Sequence, residues 1–331
     1  MKDVLIIHTG GTFGMTPVDP DQTLEPGNIE KSLDRYAPDI YKLANITVEI
    51  PFNLDSSDIG PEEWKILHNI IASAMNSYDG FVIIHGTDTL VYTAAALSYL
   101  FPQLEKPVIM TGSQRPLSTL RTDARGNLID SIELSTYDIP EVSICFGNKL
   151  FRGNRTKKTS IERFQSFESP NYPPLATVGL HVSINVQNHH NKKKDFGLVP
   201  LFDREIYSIK IFPGLNPEPF FTMFEKSAKA IILEGLGSGN LPALSGEWIE
   251  FILHMKANNT LVFIASQSAH GKVNLQLYKS GRQAASAGAV SLGDMTVEAG
   301  LVKLMLLSAN LNDPKKIEKL MQTSLAGELT E

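Results

Sequence analysis

Cysteine is nearly absent: Cys145 is the single one among 331 residues. No intrachain disulfide can form, and its place in an apolar run marks it as a small buried core side chain. A basic excess is also missing, since 30 Lys and Arg stand against 36 Asp and Glu for a net charge of −6. That excludes a broad cationic surface, so no nucleic-acid partner is expected. No apolar run is long enough for a membrane-spanning helix, so no membrane partner is expected either. Met1-Lys2-Asp3 and the four apolar residues after it are too short for a signal peptide. The expectation is a soluble, cytoplasmic protein. Several cofactor signatures are lacking. There is no G-x-G-x-x-G after the first strand and no G-x-x-x-x-G-K-[ST]. Nor is there an H-E-x-x-H, a paired C-x-x-C or a G-x-S-x-G elbow. The expectation is therefore no metal and no organic cofactor.

What is present points to an α/β protein. The length favours two domains, and an apolar content of 42% is enough for a large core. Short apolar runs at residues 4–7, 46–50, 81–84, 108–110 and 142–146 read as strands. Helical patterns at 61–78 and 90–100 alternate with them. In the first helix Pro61 suits the opening turn, Glu62 and Glu63 suit the positive end of its dipole, and Trp64, Leu67, Ile70, Ile71, Ala74 and Met75 share a face. Such alternation predicts a mostly parallel sheet flanked by helices. A polar, basic stretch from about residue 188 to 203 carries His189-His190 and Lys192-Lys193-Lys194. It reads as an exposed linker, and no carboxylate or thiol nearby completes a metal site around the histidines. Strands at 206–212, 230–233 and 261–265 and helices at 247–256, 297–309 and 314–323 follow. In the second of those helices Val297, Leu301, Leu304 and Met305 form the expected core stripe. The reading is a larger N-terminal domain (1–188), a linker (189–205) and a smaller C-terminal α/β domain (206–331).

The chemistry collects at strand ends. The first strand runs into Thr9-Gly10-Gly11-Thr12 and the third into His85-Gly86-Thr87-Asp88-Thr89. The fourth is followed by Thr111, Ser113 and Gln114, the second by Asp55-Ser56-Ser57-Asp58, and the fifth by Arg152-Gly153-Asn154-Arg155-Thr156-Lys157-Lys158. Any one of these alone is an ordinary tight turn. Several on one edge of a parallel sheet make a pocket for a polar small molecule. A threonine hydroxyl becomes a nucleophile when a base takes its proton. Lys157 or Lys158 can be that base, and Asp88 beside Thr87 can orient the lysine. Backbone N–H groups of Gly10-Gly11-Thr12 could hold an oxyanion. The set favours acyl transfer to water through an acyl-threonine. Residues 14–27, with Pro17, Pro20 and Pro26, read as a long loop placed to act as a lid.

Taken together, Thr-Gly-Gly-Thr, His-Gly-Thr-Asp-Thr and Thr-Gly-Ser-Gln resemble the bacterial L-asparaginases, closest to the cytoplasmic, type I branch. Asp-Ser-Ser-Asp, Arg-Gly-Asn-Arg-Thr-Lys-Lys and Gly-Asp-Met-Thr-Val-Glu-Ala at 293–299 also fit. The resemblance implies Thr12 as nucleophile, with Thr87, Asp88 and Lys158 as a second catalytic group. Lys158 is preferred to Lys157 because the family pattern reads Asn-Arg-Thr-x-Lys. It implies substrate binding by Gly11, Asp55, Ser56, Ser57 and Ser113. Asp55, Ser56 and Ser57, with Asp88, would hold the α-amino and α-carboxylate groups, and Ser113 would lie near the amide. Asn240, in Gly-Ser-Gly-Asn-Leu, matches a position that reaches a neighbouring site, and the implied assembly is a homodimer or homotetramer. One departure is plain: family members carry a lid tyrosine, and residues 13–35 contain none, with Thr23 near its place. The implied reaction converts L-asparagine and water to L-aspartate and ammonia. Two alternatives differ in kind. One is the amidase subunit of a tRNA-dependent amidotransferase, whose chains carry an extra domain ahead of Thr-Gly-Gly-Thr. The other is a catalytically silent amino-acid-binding protein.

Overall fold

Four consecutive apolar residues, Val4 to Ile7, carry no alternation, which is the mark of a strand covered on both faces. All four are fully buried in the structure, a computed structural model that describes every residue except 19–22, 186–194, 226 and 331. Within residues 16–26 only backbone is described. The chain divides into two units, Met1–Asp195 and Phe196–Glu331.

In the first unit β1 (Asp3–His8) is followed by β2 (Met15–Val18), β3 (Thr23–Pro26), α1 (Ile29–Tyr36), β4 (Asn45–Glu49), α2 (Pro61–Ala74) and β5 (Gly80–Ile84). Then come α3 (Leu90–Leu100), β6 (Val108–Thr111), α4 (Ala124–Ser135), β7 (Val142–Phe146), β8 (Lys149–Arg152), β9 (Lys157–Lys158), β10 (Phe167–Glu168), β11 (Ala176–Val178) and β12 (Val182–Ile184). Eight of these strands form one sheet in the order β12-β11-β8-β7-β6-β5-β1-β4. The five from β4 to β7 are parallel, as expected. β8, β11 and β12 extend the sheet antiparallel. The reversal is made by Gly147-Asn148, whose φ values of 57° and 66° suit a two-residue hairpin turn.

Alternation through the sheet separates two cores. Leu5, Ile7, Phe81 and Ile83 pack with Leu67 and Ile71 of α2 and Leu90, Ala94 and Leu97 of α3. Val4, Ile6, Val82 and Ile84 pack with Ile29 and Leu33 of α1 and Leu128 and Ile132 of α4. Helix α2 opens as its sequence predicts, with Pro61 in the first turn and the Glu63 carboxylate accepting from the Gly60 N–H at 2.9 Å. It stops at Ala74 rather than at 78, because the Lys106 ammonium takes the carbonyls of Met75 and Tyr78. The segment expected as a loop from 14 to 27 holds the antiparallel pair β2–β3, and the Gly27 N–H donates to the Gly14 carbonyl across its base at 2.9 Å.

The second unit has β13 (Ile206–Lys210), α5 (Glu218–Phe224), β14 (Ala230–Gly235), α6 (Glu247–Ala257), β15 (Leu261–Ser266), α7 (Lys279–Ala287), β16 (Val290–Ser291), α8 (Val297–Asn310) and α9 (Pro314–Met321). Its four strands are parallel in chain order. Residues 199–203 of the stretch expected as linker are bonded to α8: Asn310 accepts from Val199 and donates to its carbonyl, and Asp203 N–H donates to the Met305 carbonyl. The histidine pair and lysine triplet lie outside the described residues. No helix among the described residues is long and apolar enough to cross a membrane.

The stripe expected on α8 is displaced. Ala299, Val302, Lys303, Leu304, Leu306 and Leu307 are buried, whereas Val297, Leu301 and Met305 are half-buried. Lys303 explains the shift. It is wholly buried, 2.5 Å from the equally buried Glu328 carboxylate, and donates to the Thr323 carbonyl at 2.7 Å. Glu328 also accepts from the N–H groups of Leu325 and Ala326. The C-terminal segment thus covers a face of α8 that a simple stripe leaves to water. Removing one partner of such a pair strands a charge in the interior. Lys303→Met is therefore expected to destabilise the protein by about 3–5 kcal/mol, measured by urea denaturation. A loss below about 1 kcal/mol, the range of an exposed pair, would refute the assigned role.

Candidate active site

The carboxyl ends of β1 and β5 meet because glycine lets backbone touch backbone. Gly10 and Gly11 have φ values of 114° and 79°, in the region glycine tolerates. The Gly11 N–H donates to the Leu54 carbonyl at 3.2 Å, and the Leu54 N–H to the Thr9 carbonyl at 2.9 Å. A Cβ on Gly11 would lie 2.5 Å from Gly86 Cα, and one on Gly86 would lie 2.6 Å from Ser56 Cβ. A Cβ on Gly112 would run into the His85 carbonyl. The turns carrying Thr12, Thr87, Ser56 and Ser113 are therefore packed into one patch at the sheet edge.

Thr12 opens a short 3-10 turn, Thr12–Gly14, and is half-buried. Phe13 beside it is buried in the α1 core, and its carbonyl accepts from Leu117 N–H at 3.1 Å. The Thr12 backbone is thereby pinned from both sides, while its hydroxyl has no hydrogen bond among the described residues. Lys158 Nζ donates to Thr87 Oγ1 and to Asp88 Oδ1, each at 2.7 Å. Thus Lys158 rather than Lys157 joins Thr87 and Asp88. It does not arrive directly from the preceding strand end, as expected, because β8 carries the chain back along the sheet. A turn at Gly153–Arg155 then returns it, with Gly153 against Ala94 of α3. Arg152, buried, holds this turn: it pairs with the buried Glu141 at 2.7 Å and stacks 4.3 Å from the Tyr172 ring.

Asp55 caps the 3-10 turn Ser56–Asp58 and accepts from Ser57 N–H at 2.8 Å and Ser57 Oγ at 2.6 Å. Those hydrogen bonds hold its carboxyl below the usual range. Asp55 and Ser57 are exposed, and Ser56 is buried. The Ser56 hydroxyl accepts from Asp88 N–H at 3.3 Å, and its carbonyl accepts from Thr89 Oγ1 at 2.5 Å, so these two turns are bonded as well as packed. Ser113 is buried and donates to the Arg115 carbonyl at 2.6 Å. The adjoining Gln114 and Arg115 N–H groups bind Asp123, whose carboxyl burial pushes up. Asn240 belongs to the second unit, where it accepts from Ser280 Oγ at 3.1 Å.

Two residues of the strand ends carry no functional signal that sequence alone reveals. His85 stands inside the quoted His-Gly-Thr-Asp-Thr, but only the fold brings it to its partners, Gly86 and Thr93. His8, at the end of β1, is buried with its Nδ1 unpaired among the described residues. It lies beneath Gly14, where a Cβ would come 2.7 Å from its Nε2. Burial pulls the pKa of both rings down to about 4. No group of three or more metal-ligating side chains occurs among the described residues.

Comparison with known proteins places two family descriptions on the chain: "Asparaginase, N-terminal" over residues 3–192 and "Glutaminase/Asparaginase C-terminal domain" over 205–321. L-asparaginase 1 of Escherichia coli (strain K12) is 36% identical over 99% of this chain and 98% of its own. A subunit of the glutamyl-tRNA(Gln) amidotransferase of Pyrococcus horikoshii is 32% identical over all of this chain and 77% of its own. Among solved structures, L-asparaginase I from Vibrio cholerae superposes with a TM-score of 0.87 at 36% identity, covering 100% of this chain and 99% of that one. The thermostable L-asparaginase from Thermococcus kodakarensis gives 0.88 at 31%, covering 99% of each.

The buried histidines make stability depend on pH with a definite sign. As pH falls below 6.5 the unfolded chain takes up protons that the folded rings refuse until about 4. Their contribution is complete above pH 6.5 and is lost towards pH 4, at about 3 kcal/mol for each ring. His8→Leu should accordingly flatten the acid loss by roughly 3 kcal/mol between pH 7 and 4, read from urea midpoints along that range. Parallel stability curves for the two proteins would show that His8 does not fold as a neutral buried ring.

Proposed function

The chain belongs to the asparaginase family in both its domains, and from that premise we propose that it hydrolyses the side-chain amide of L-asparagine to L-aspartate and ammonia. The observation that carries the reading is Lys158 Nζ, 2.7 Å from both Thr87 Oγ1 and Asp88 Oδ1, at a strand end in contact with the Gly11-Thr12 turn. Thr12 Oγ attacks the amide carbon, ammonia leaves with the transferred proton, and an acyl-threonine ester remains. Water then attacks the ester carbon and its proton passes towards Thr87 and Lys158, with Asp88 holding the lysine's charge; the bond from the acyl carbon to Thr12 Oγ breaks, the proton is handed on to that oxygen, and aspartate is released. With no tyrosine between residues 13 and 35, the same Thr87–Lys158 pair is the base we assign to Thr12. Asp55, Ser56 and Ser57 take the substrate's α-groups, with Asp88. Gly11 supplies backbone to the pocket, Ser113 lies at the amide end, and Asn240 acts at a neighbouring site in a homodimer or homotetramer. Cytoplasmic residence belongs to the same proposal.

The amidotransferase subunit is the other related activity. The higher identity to L-asparaginase 1, 36% against 32%, and the net charge of −6 favour the free amino acid over tRNA as the substrate carrier.

Purified protein should release ammonia from L-asparagine. Selectivity over L-glutamine rests on one methylene, about 1–3 kcal/mol in such a pocket. Thr12→Ala should abolish turnover with the fold retained by circular dichroism, and Lys158→Met should lower kcat by about 10²–10⁴. Near-normal turnover in Thr12→Ala would remove the acyl-threonine from the mechanism.

A further inference from the structure

Beneath the Gly86 contact runs a chain of buried hydrogen bonds whose direction is fixed by its ends. Trp64 Nε1 in α2 lies 3.0 Å from Thr93 Oγ1 in α3. Thr93 Oγ1 lies 3.0 Å from His85 Nε2, and His85 Nδ1 lies 2.7 Å from the Gly86 carbonyl oxygen. An indole nitrogen only donates, and a carbonyl only accepts. Nδ1 must therefore carry the ring proton and Nε2 must be bare. The Thr93 hydroxyl donates to Nε2 while it accepts from Trp64. Trp64, Thr93 and His85 are all buried, so no water competes for these bonds. Burial also keeps the ring neutral, which the chain requires: an imidazolium would carry a proton on Nε2 and leave the Thr93 hydroxyl hydrogen without that acceptor.

The chain ends on the peptide that joins Gly86 to Thr87. Gly86 touches Gly11 on one side and Ser56 on the other. The Thr87 N–H, on the far side of that peptide, has no hydrogen bond among the described residues. A hydrogen bond accepted by the carbonyl of a peptide polarises it and makes its N–H a stronger donor. A donor held in place before charge develops is the kind that stabilises an oxyanion.

We propose that Trp64, Thr93 and His85 form a one-way positioning relay that orients and polarises the Gly86–Thr87 peptide, so that the Thr87 N–H donates to the oxygen of the amide under attack. The proposal rests on the amide hydrolysis proposed above. The three side chains touch neither substrate nor nucleophile; they act through the peptide. Their effect belongs to the transition state, so it falls on kcat rather than on KM.

The test has a spectroscopic and a kinetic arm. With ¹⁵N-histidine-labelled protein, long-range ¹H–¹⁵N correlation at pH 6–8 should show His85 with Nδ1 protonated and Nε2 bare. A protonated Nε2, in either the other tautomer or the imidazolium, overturns the relay. In the kinetic arm, Thr93→Val should lower kcat for L-asparagine on the order of tenfold with KM little changed, less than the 10²–10³ lost with an oxyanion donor itself. Thr93→Ser, which restores the hydroxyl, should recover kcat. Wild-type kcat in Thr93→Val, or a loss that serine leaves unrepaired, overturns the proposal. Should Thr93→Val fail to fold, Trp64→Phe removes the first donor and keeps a ring. A smaller loss of kcat is then expected, and an unchanged kcat overturns the proposal. A wild-type protein without turnover would refute the proposed activity, while the His85 tautomer still reports on the relay.

Discussion

The site depends on backbone touching backbone at the carboxyl edge of the parallel sheet. At Gly11 and Gly86 a single added carbon would stand 2.5 to 2.6 Å from its neighbour, inside any tolerable contact. The contacts form a series, from Leu54 through Gly10 and Gly11 to Gly86 and on to Ser56. Three turns that are distant in sequence thereby become one surface. Hydroxyls at Thr12, Ser56 and Thr87 are placed by main chain rather than by long flexible side chains, so their positions carry little rotamer entropy. Loops usually gain function at the expense of definition. Here the close approach restores the definition, because none of the three turns can shift without moving the next.

That precision is supported from below by polar groups the sheet has buried. Arg152 and Glu141 fix the turn from which Lys158 returns, and Trp64, Thr93 and His85 fix the end of β5. Asp123 and Asn127 do the same for the end of β6: Asn127 donates to the Gly112 carbonyl at 3.0 Å and accepts from the Gly147 N–H at 3.1 Å. Each cluster is expensive to leave half-satisfied in a low-dielectric interior. Each therefore selects one arrangement of the strand end it holds. The Lys303–Glu328 pair applies the same logic in the second unit, to the covering of α8 rather than to a site.

The strand-end chemistry is legible in the sequence because buried parallel strands are continuous apolar runs and the residues after them are glycine and hydroxyl rich. Val4 to Ile7 and Phe81 to Ile84 announce themselves, and with them Thr12 and Thr87. β11 and β12 are not legible, since strands of three residues have no periodicity to display. Gly147-Asn148 does carry a hairpin signal, though a faint one beside the apolar runs. Helix α4 is hidden because Arg125, Gly126 and Asn127 interrupt its apolar pattern; Asn127 is buried there for its bonds, not for its hydrophobicity. The route of Lys158 cannot be read, because its approach to Thr87 follows from the reversal at β8. The relay on His85 spans residues 64 to 93, and only the packing of α2 on α3 brings its members together. On α8 the expected stripe fails at Lys303, where a charge is buried because its partner arrives from the C-terminal segment.

Energetics separate the scaffold of the site from the groups proposed to react. The Arg152–Glu141 pair is buried, and breaking one such pair costs several kcal/mol. The Lys158–Asp88 pair is different: the Asp88 side chain is 67% exposed, and a pair of that exposure contributes at most about 1 kcal/mol to folding. Lys158 is nevertheless held at 2.7 Å from two acceptors, with only 16% of its side chain exposed. Stability therefore does not account for that geometry, whereas the proposed chemistry would. On the proposed mechanism Lys158 exchanges protons with Thr87; a group with that task cannot be locked into an interior ion pair, and one left free on the surface would lose its alignment. Burying the lysine stem on a rigid turn, with its carboxylate partner at the solvent edge, meets both demands. A half-exposed pair above the buried Arg152–Glu141 pair is the arrangement the proposed reaction calls for at this edge of the sheet.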